Sequence, residues 1–220
     1  MGTAAKNVTA TYTLSTHSVS ITPSGNGSGT VTCNGGACSS YNYGTVVTLA
    51  GTPNTGSSFT GFTGDADCTD SSLTMTVNKN CTATFTLNTY LLTVAKAGTG
   101  AGTVTGTGIA CGGDCTETMN HGSSVTLTAA ASVGSTFTSW SGGGCSGNAS
   151  TCSVTMTGIT TVTATFTLDT PTLTVTSGVG GTVTSNPAGI NCGGDCTEPY
   201  NFGTLVTLTA TPAAHYTFGG

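Results

Sequence analysis

Apolar and polar residues alternate along most of this chain, in short runs such as VTATYTL at residues 8–14, GTVVTLAGTP at 44–53, VTATFTL at 162–168 and LVTLTAT at 205–211. A period of two places one face of a strand in a core and the other in water. Clusters of Gly, Pro, Asn and Ser punctuate the runs, as turns between strands require. No stretch carries the three-to-four-residue period of an amphipathic helix, so the pattern predicts an all-β chain.

The pattern recurs. CNGGACSSYNYGTVVTL from Cys33, CGGDCTETMNHGSSVTLT from Cys111 and CGGDCTEPYNFGTLVTLT from Cys192 are three copies of one cysteine-closed loop leading into a strand. Ten residues separate Leu49 from Phe59, Leu127 from Phe137 and Leu208 from Phe218, so register is kept through this part of every copy. The organisation read from these copies is a closing strand of a preceding repeat at 1–14, repeat 1 at 15–88, repeat 2 at 89–170, and the first half of a truncated repeat 3 at 171–220. Met1 aligns within one residue with Met75 and Met156, which makes it an internal position of the repeat in this reading.

Within repeat 1, THSVSITPSGNGSGTVTCN reads as an opening hairpin with a mobile tip, GTVVTLAGTP as a third strand ending at Pro53, and LTMTVNKNCTATFTL as a closing hairpin. Phe59 and Phe62 supply its aromatic core, and Phe137 and Trp140 supply that of repeat 2. The expected fold is all-β, as tandem small β-sandwich-like modules, or β-grasp-like ones, of about six short strands each.

Composition narrows the function. Charged residues make up 5% of the chain, and the net charge is −5 with three basic side chains. Ordinary domains carry about 25% charged residues. Threonine takes over the polar role, its β-branched side chain suiting a pleated strand. So few cations give no electrostatic footprint for DNA or RNA. No apolar run reaches the length of a membrane-spanning helix.

Ten cysteines point to an oxidising compartment and a disulfide framework, since the spacing lacks the paired C-x2-C of a zinc ribbon. Local pairing satisfies all ten: Cys33 with Cys38, Cys68 with Cys81, Cys111 with Cys115, Cys145 with Cys152, and Cys192 with Cys196. Pairing between sets would strand Cys192 and Cys196. Cys152 precedes the VTM run whereas Cys81 opens the final strand of repeat 1, which predicts that those two strands are neighbours in a closing hairpin.

Candidate chemistry is sparse. His17, His121 and His215 are read as isolated, with no nucleophile or ligand partner nearby. No catalytic motif occurs, and the chain is not read as an enzyme. Asp114 with Glu117 and Asp195 with Glu198 recur on the cysteine loop as weak oxygen-ligand candidates for calcium, but repeat 1 has Ala37 and Ser40 there. No metal or cofactor is expected. Tyr41, Tyr43, Phe59, Phe62, Trp140, Tyr200 and Phe202 offer either core or a sugar-stacking platform. Asn7, Asn26, Asn80 and Asn148 stand in glycosylation sequons.

Taken together, G-T-V-T, G-I-x-C-G-G-D-C-T-E, G-x-x-V-T-L-T-A, F-T-S-W-S-G, C-S-V-T-M and V-T-A-T-F resemble the bacterial extracellular repeat related to the divergent internalin-type B-repeat. The resemblance spans nearly the whole chain. It implies a small all-β module at the bacterial cell surface, used as stalk, adhesin spacer or fibre, with no catalytic residue to carry over. The partners expected are like chains or neighbouring repeats, in a head-to-tail polymer formed by strand complementation, and surface glycans. The rival reading is a carbohydrate-binding accessory module of a secreted hydrolase, for which exposure of Trp140 and Tyr200 is the discriminating observation.

Overall fold

A computed structural model describes residue 2 and residues 4–220; Met1, read above as an internal position, lies outside them. The chain packs as two units, one taking in residues up to Tyr90 together with Asn120–Gly122, the other Leu91–Met119 and Ser123–Gly220. All regular structure among the described residues is β.

Repeat 1 contains β1 (Thr16–Ser24), β2 (Gly29–Cys33), β3 (Ser40–Asn42), β4 (Val46–Pro53), β5 (Ser57–Gly64), β6 (Ser72–Thr74) and β7 (Lys79–Leu87). Two sheets result, ordered β3-β1-β7-β5 and β2-β4-β6. β7 runs parallel to β1 and antiparallel to β5, so the last strand of the repeat lies in the middle of its sheet. Residues from both sheets form one core around Val19, Val47, Leu49, Leu73, Met75 and Phe85. This is a two-layer, sandwich-like module, in which each strand buries alternate positions.

Repeat 2 follows the same plan with β8 (Thr89–Ala97), β9 (Gly102–Gly106), β10 (Ile109–Cys111), β11 (Thr116–Asn120), β12 (Ser124–Ala131), β13 (Ser135–Gly142), β14 (Cys145–Gly147), β15 (Thr151–Thr155) and β16 (Thr160–Leu168). Its sheets are ordered β11-β8-β16-β13-β14 and β10-β9-β12-β15, again with the closing strand parallel to the first.

Two hairpins expected from the sequence are not hairpins. β1 pairs with β3 and β7, while β2 pairs with β4, so the Pro/Gly/Asn/Ser segment between β1 and β2 is a corner from one sheet to the other. The closing segment does the same, with β15 on β12 and β16 on β8 and β13. Within its own repeat, Cys81 therefore stands on the closing strand and Cys152 on the strand before it, which pairs in the other sheet, so the two bridge positions do not mark a pair of hydrogen-bonded neighbours. The cause is a core that needs both layers: a local hairpin would leave one face of the sheet opposite uncovered.

Register explains the aromatic pairs. Three residues separate Phe59 from Phe62 and Phe137 from Trp140, a spacing that would send the two rings of a regular strand to opposite faces. A shift in register between Phe59 and Gly61, and between Phe137 and Ser139, inserts the extra residue that turns both rings inward. The ring centroids then lie 4.8 Å and 5.1 Å apart. Trp140 is fully packed, and its Nε1–H donates to the Ala149 carbonyl at 2.8 Å.

Repeat 3 contains β17 (Thr172–Thr174), β18 (Gly181–Asn186), β19 (Asn191–Cys192), β20 (Thr197–Pro199) and β21 (Thr207–Pro212), paired as β17-β20 and β19-β18-β21. Residues 171–220 hold no counterpart of β7 or β16. Residues 4–14, whose pattern matches that strand, make no strand pairing, and Val8 and Tyr12 are exposed.

Candidate functional site

The ten cysteines close five bridges: Cys33–Cys38, Cys68–Cys81, Cys111–Cys115, Cys145–Cys152 and Cys192–Cys196. In the two CGGDC loops the aspartate caps its own turn. Asp114 Oδ1 accepts from the Thr116 N–H at 3.1 Å, and Asp195 Oδ1 from the Thr197 N–H at 3.1 Å. This is the Asx-type hydrogen bond that stabilises a tight loop. The glutamates take another direction: Glu117 lies over Gly108, and Glu198 lies over Gly189 beside the Tyr200 hydroxyl. The two acids of each loop, three residues apart in sequence, thus engage different partners. Among the described residues no group of three or more His, Cys, Asp or Glu is arranged to hold a metal ion.

The aromatic candidates are also dispersed. Trp140 and Phe62 are buried, and Phe59 packs against Phe85 with centroids 5.2 Å apart. Tyr200 is half-buried, and its hydroxyl bonds Ser185 Oγ at 2.7 Å and the Pro187 carbonyl at 3.3 Å. Tyr43 and Phe202 are exposed, and Tyr41 is half-buried.

A different constellation recurs where one repeat gives way to the next. In repeat 1 the turn Asn54–Ser57 closes through the Ser57 N–H to the Asn54 carbonyl at 2.9 Å, with Gly56 in the left-handed region at φ +77°. A Cβ on Gly56 would fall inside the imidazole of His121, which belongs to the same packed unit. Asn88 ties the two together. Its N–H donates to the Gly56 carbonyl at 2.8 Å, its side-chain oxygen accepts from Ser58 Oγ at 2.6 Å, and its carbonyl accepts from the His121 N–H at 2.8 Å.

The second unit repeats this arrangement atom for atom with other side chains. The turn Ser132–Ser135 carries Gly134 at φ +73°, and a Cβ there would fall inside the Phe202 ring. Asp169 donates its N–H to the Gly134 carbonyl at 2.9 Å, accepts from Thr136 Oγ1 at 2.7 Å, and offers its carbonyl to the Phe202 N–H at 2.8 Å. Each joint is therefore a ring set on a bare glycine, with the linker residue bonded to both sides.

A family model for the divergent InlB B-repeat domain matches residues 17–89, 92–170 and 171–220. The chain belongs to this family. No curated protein matches it, and no solved structure does.

The joints thus fall where one B-repeat match ends and the next begins. The sequence contains their signal: Asn42-Tyr43-Gly44, Asn120-His121-Gly122 and Asn201-Phe202-Gly203 place a ring between Asn and Gly in all three B-repeats. Reading the histidines as isolated concealed it, because His121 occupies the same position as Tyr43 and Phe202. Ring identity changes from copy to copy while ring position does not, and only the fold reveals what the ring rests on. No helix of the described residues is long and apolar enough to cross a membrane.

Proposed function

We propose that this chain is a structural segment of a bacterial cell-surface or secreted protein, serving as stalk, spacer or fibre rather than as an enzyme. The observation that carries this reading is the joint: Asn88 and Asp169 make the same three hydrogen bonds, so successive B-repeats are linked by one reiterated contact. A reiterated contact builds a solenoid-like array whose length scales with the number of repeats. Disulfides inside each module limit how far it can be extended or digested.

Strand complementation belongs to the same proposal. Residues 8–14, VTATYTL, reproduce CTATFTL of β7 and VTATFTL of β16 and stand unpaired. They act as the closing strand of a neighbouring B-repeat, adding to an open sheet edge.

The test is single-molecule extension of the chain with its disulfides intact and after reduction. A spacer of this design gives a sawtooth of module unfoldings, each lengthening the chain further once Cys68–Cys81 and Cys145–Cys152 are opened. A featureless extension that is unchanged by reduction would remove the structural reading. Adhesive binding through the aromatics is a weaker alternative, because burial of Trp140 takes its largest ring out of reach.

A further inference from the structure

Three copies of the ring position exist, and two of them are seated. Tyr43 is the third. Its N–H donates to the Ser15 carbonyl at 2.8 Å, the bond that His121 makes to Asn88 and Phe202 makes to Asp169. His17 stands beside the Tyr43 ring with centroids 6.0 Å apart, as Tyr90 stands beside His121 at 5.9 Å. Half of a joint is therefore already built at Ser15 and Tyr43, and the Tyr43 side chain is exposed.

The glycine position also has three copies. Seven residues separate Leu49 from Gly56, Leu127 from Gly134 and Leu208 from His215. The turns match: the Tyr216 N–H closes on the Ala213 carbonyl at 3.1 Å, as Ser57 closes on Asn54 and Ser135 on Ser132. His215 even keeps the left-handed conformation, at φ +71°. What it does not keep is the bare Cα. A Cβ at Gly56 or Gly134 would fall inside the ring, and His215 carries a Cβ at the corresponding position. A non-glycine residue at such a φ is itself unfavourable, so the backbone of the turn is retained while its seat is filled.

We infer that Ser15 and Tyr43 form a docking surface for the glycine-bearing turn of another B-repeat, and that repeat 3 of an identical chain does not fit it because His215 fills the seat. The partner is a B-repeat with Gly at the third position of the turn that corresponds to the one between β4 and β5 or between β12 and β13, and with a hydroxyl two residues later to meet Ser15. The inference rests on the array reading only for the class of partner, and it selects a neighbouring repeat of that kind over a second copy of this chain. Its failure would leave the extension behaviour of the modules untouched, so the two readings are separable.

The test places a second copy of residues 89–168, or in a parallel variant of residues 15–87, between Leu14 and Ser15 of the full chain. An aromatic ring stacked on a glycine shifts the glycine α-proton resonances upfield, as Gly56 and Gly134 should show in the native chain. The inserted glycine should acquire the same shift and lose it on Tyr43→Ala, while Gly56 and Gly134 keep theirs. If neither insert gives a Tyr43-dependent shift, folded or not, the docking surface is overturned. Sedimentation of the native chain tests the selectivity: self-association that rises with concentration and is lost on Tyr43→Ala would overturn the role given to His215, and its absence is the expected result.

Discussion

Repeats 1 and 2 have strands after β4 and β12, the closing strand among them, that residues 171–220 of repeat 3 do not have, and the difference runs through the whole module. Leu49 and Leu127 are 3% and 0% exposed, whereas their counterpart Leu208 is 44% exposed. Phe59 and Phe137 each pack against a ring from the closing strand, Phe85 or Phe166, while their counterpart Phe218 is 67% exposed. The disulfide loop nevertheless closes in both repeats 2 and 3, with the same aspartate cap. Local staples thus form without the closing strand, and the shared core does not. β7 lies between β1 and β5, and β16 between β8 and β13, so one segment supplies pairing to two neighbours and a ring to the core at once.

The sharpest way to break the comparison is to remove the ring. Phe166→Ala empties a fully buried site between the two sheets and should cost about 3–5 kcal/mol. Phe218→Ala removes a ring already in solvent and should change stability by no more than about 0.5 kcal/mol. Urea unfolding followed by the fluorescence of Trp140, which sits 5.1 Å from Phe137, reports repeat 2 directly. Equal effects of the two substitutions would mean that the closing strand does not organise the core.

Much of this was legible in the sequence. Period-two alternation gave the strands, and Leu49, Leu127 and Leu208 set a common register because a one-residue slip inverts a strand. The repeated cysteine loop revealed three copies of one unit, as the three family matches do. Sheet membership was not legible. β6 and β7 are separated by the short segment Met75–Asn78, which looks like a hairpin turn, yet each strand pairs in a different sheet because Leu73 and Phe85 must approach the core from opposite sides. The joint was hidden for a related reason: Gly56 and His121 are far apart in sequence, and the residue that joins them, Asn88, looks like ordinary linker.

A smaller effect separates the two closed repeats. Lys79, at the start of β7, is paired with Asp67 at 2.8 Å, and repeat 2 has Thr160 at the corresponding place. The hydrogen bond from Lys79, assisted by the Thr74 N–H, holds the Asp67 carboxyl below its ordinary value. A carboxylate whose pKa is lowered by folding stabilises the fold above its unfolded value of about 3.9, and that contribution disappears as pH falls through the lowered value. Asp67→Asn should therefore cost about 1 kcal/mol near neutral pH, as a partly exposed ion pair does, and nothing once the wild-type carboxyl is protonated. Urea midpoints at the two pH extremes, followed by near-ultraviolet circular dichroism, give the difference. A penalty that persists in acid would assign the effect to lost packing instead of charge.

The smallest effect asks whether the loop needs the core at all. Asp114→Ala and Asp195→Ala each delete one exposed turn-capping acceptor, worth about 0.5 kcal/mol. One aspartate belongs to a closed repeat and the other to an open one. If the loop is an autonomous staple, the two substitutions should produce equal increases in amide hydrogen exchange at Thr116 and Thr197, the residues whose N–H groups they release. A larger increase at Thr197 would mean that the closing strand stiffens the sheet from which the loop projects. In that case completing repeat 3 with a strand such as residues 8–14 would slow exchange at Thr197 toward the rate at Thr116, and the loop would report closure of the module from outside its core.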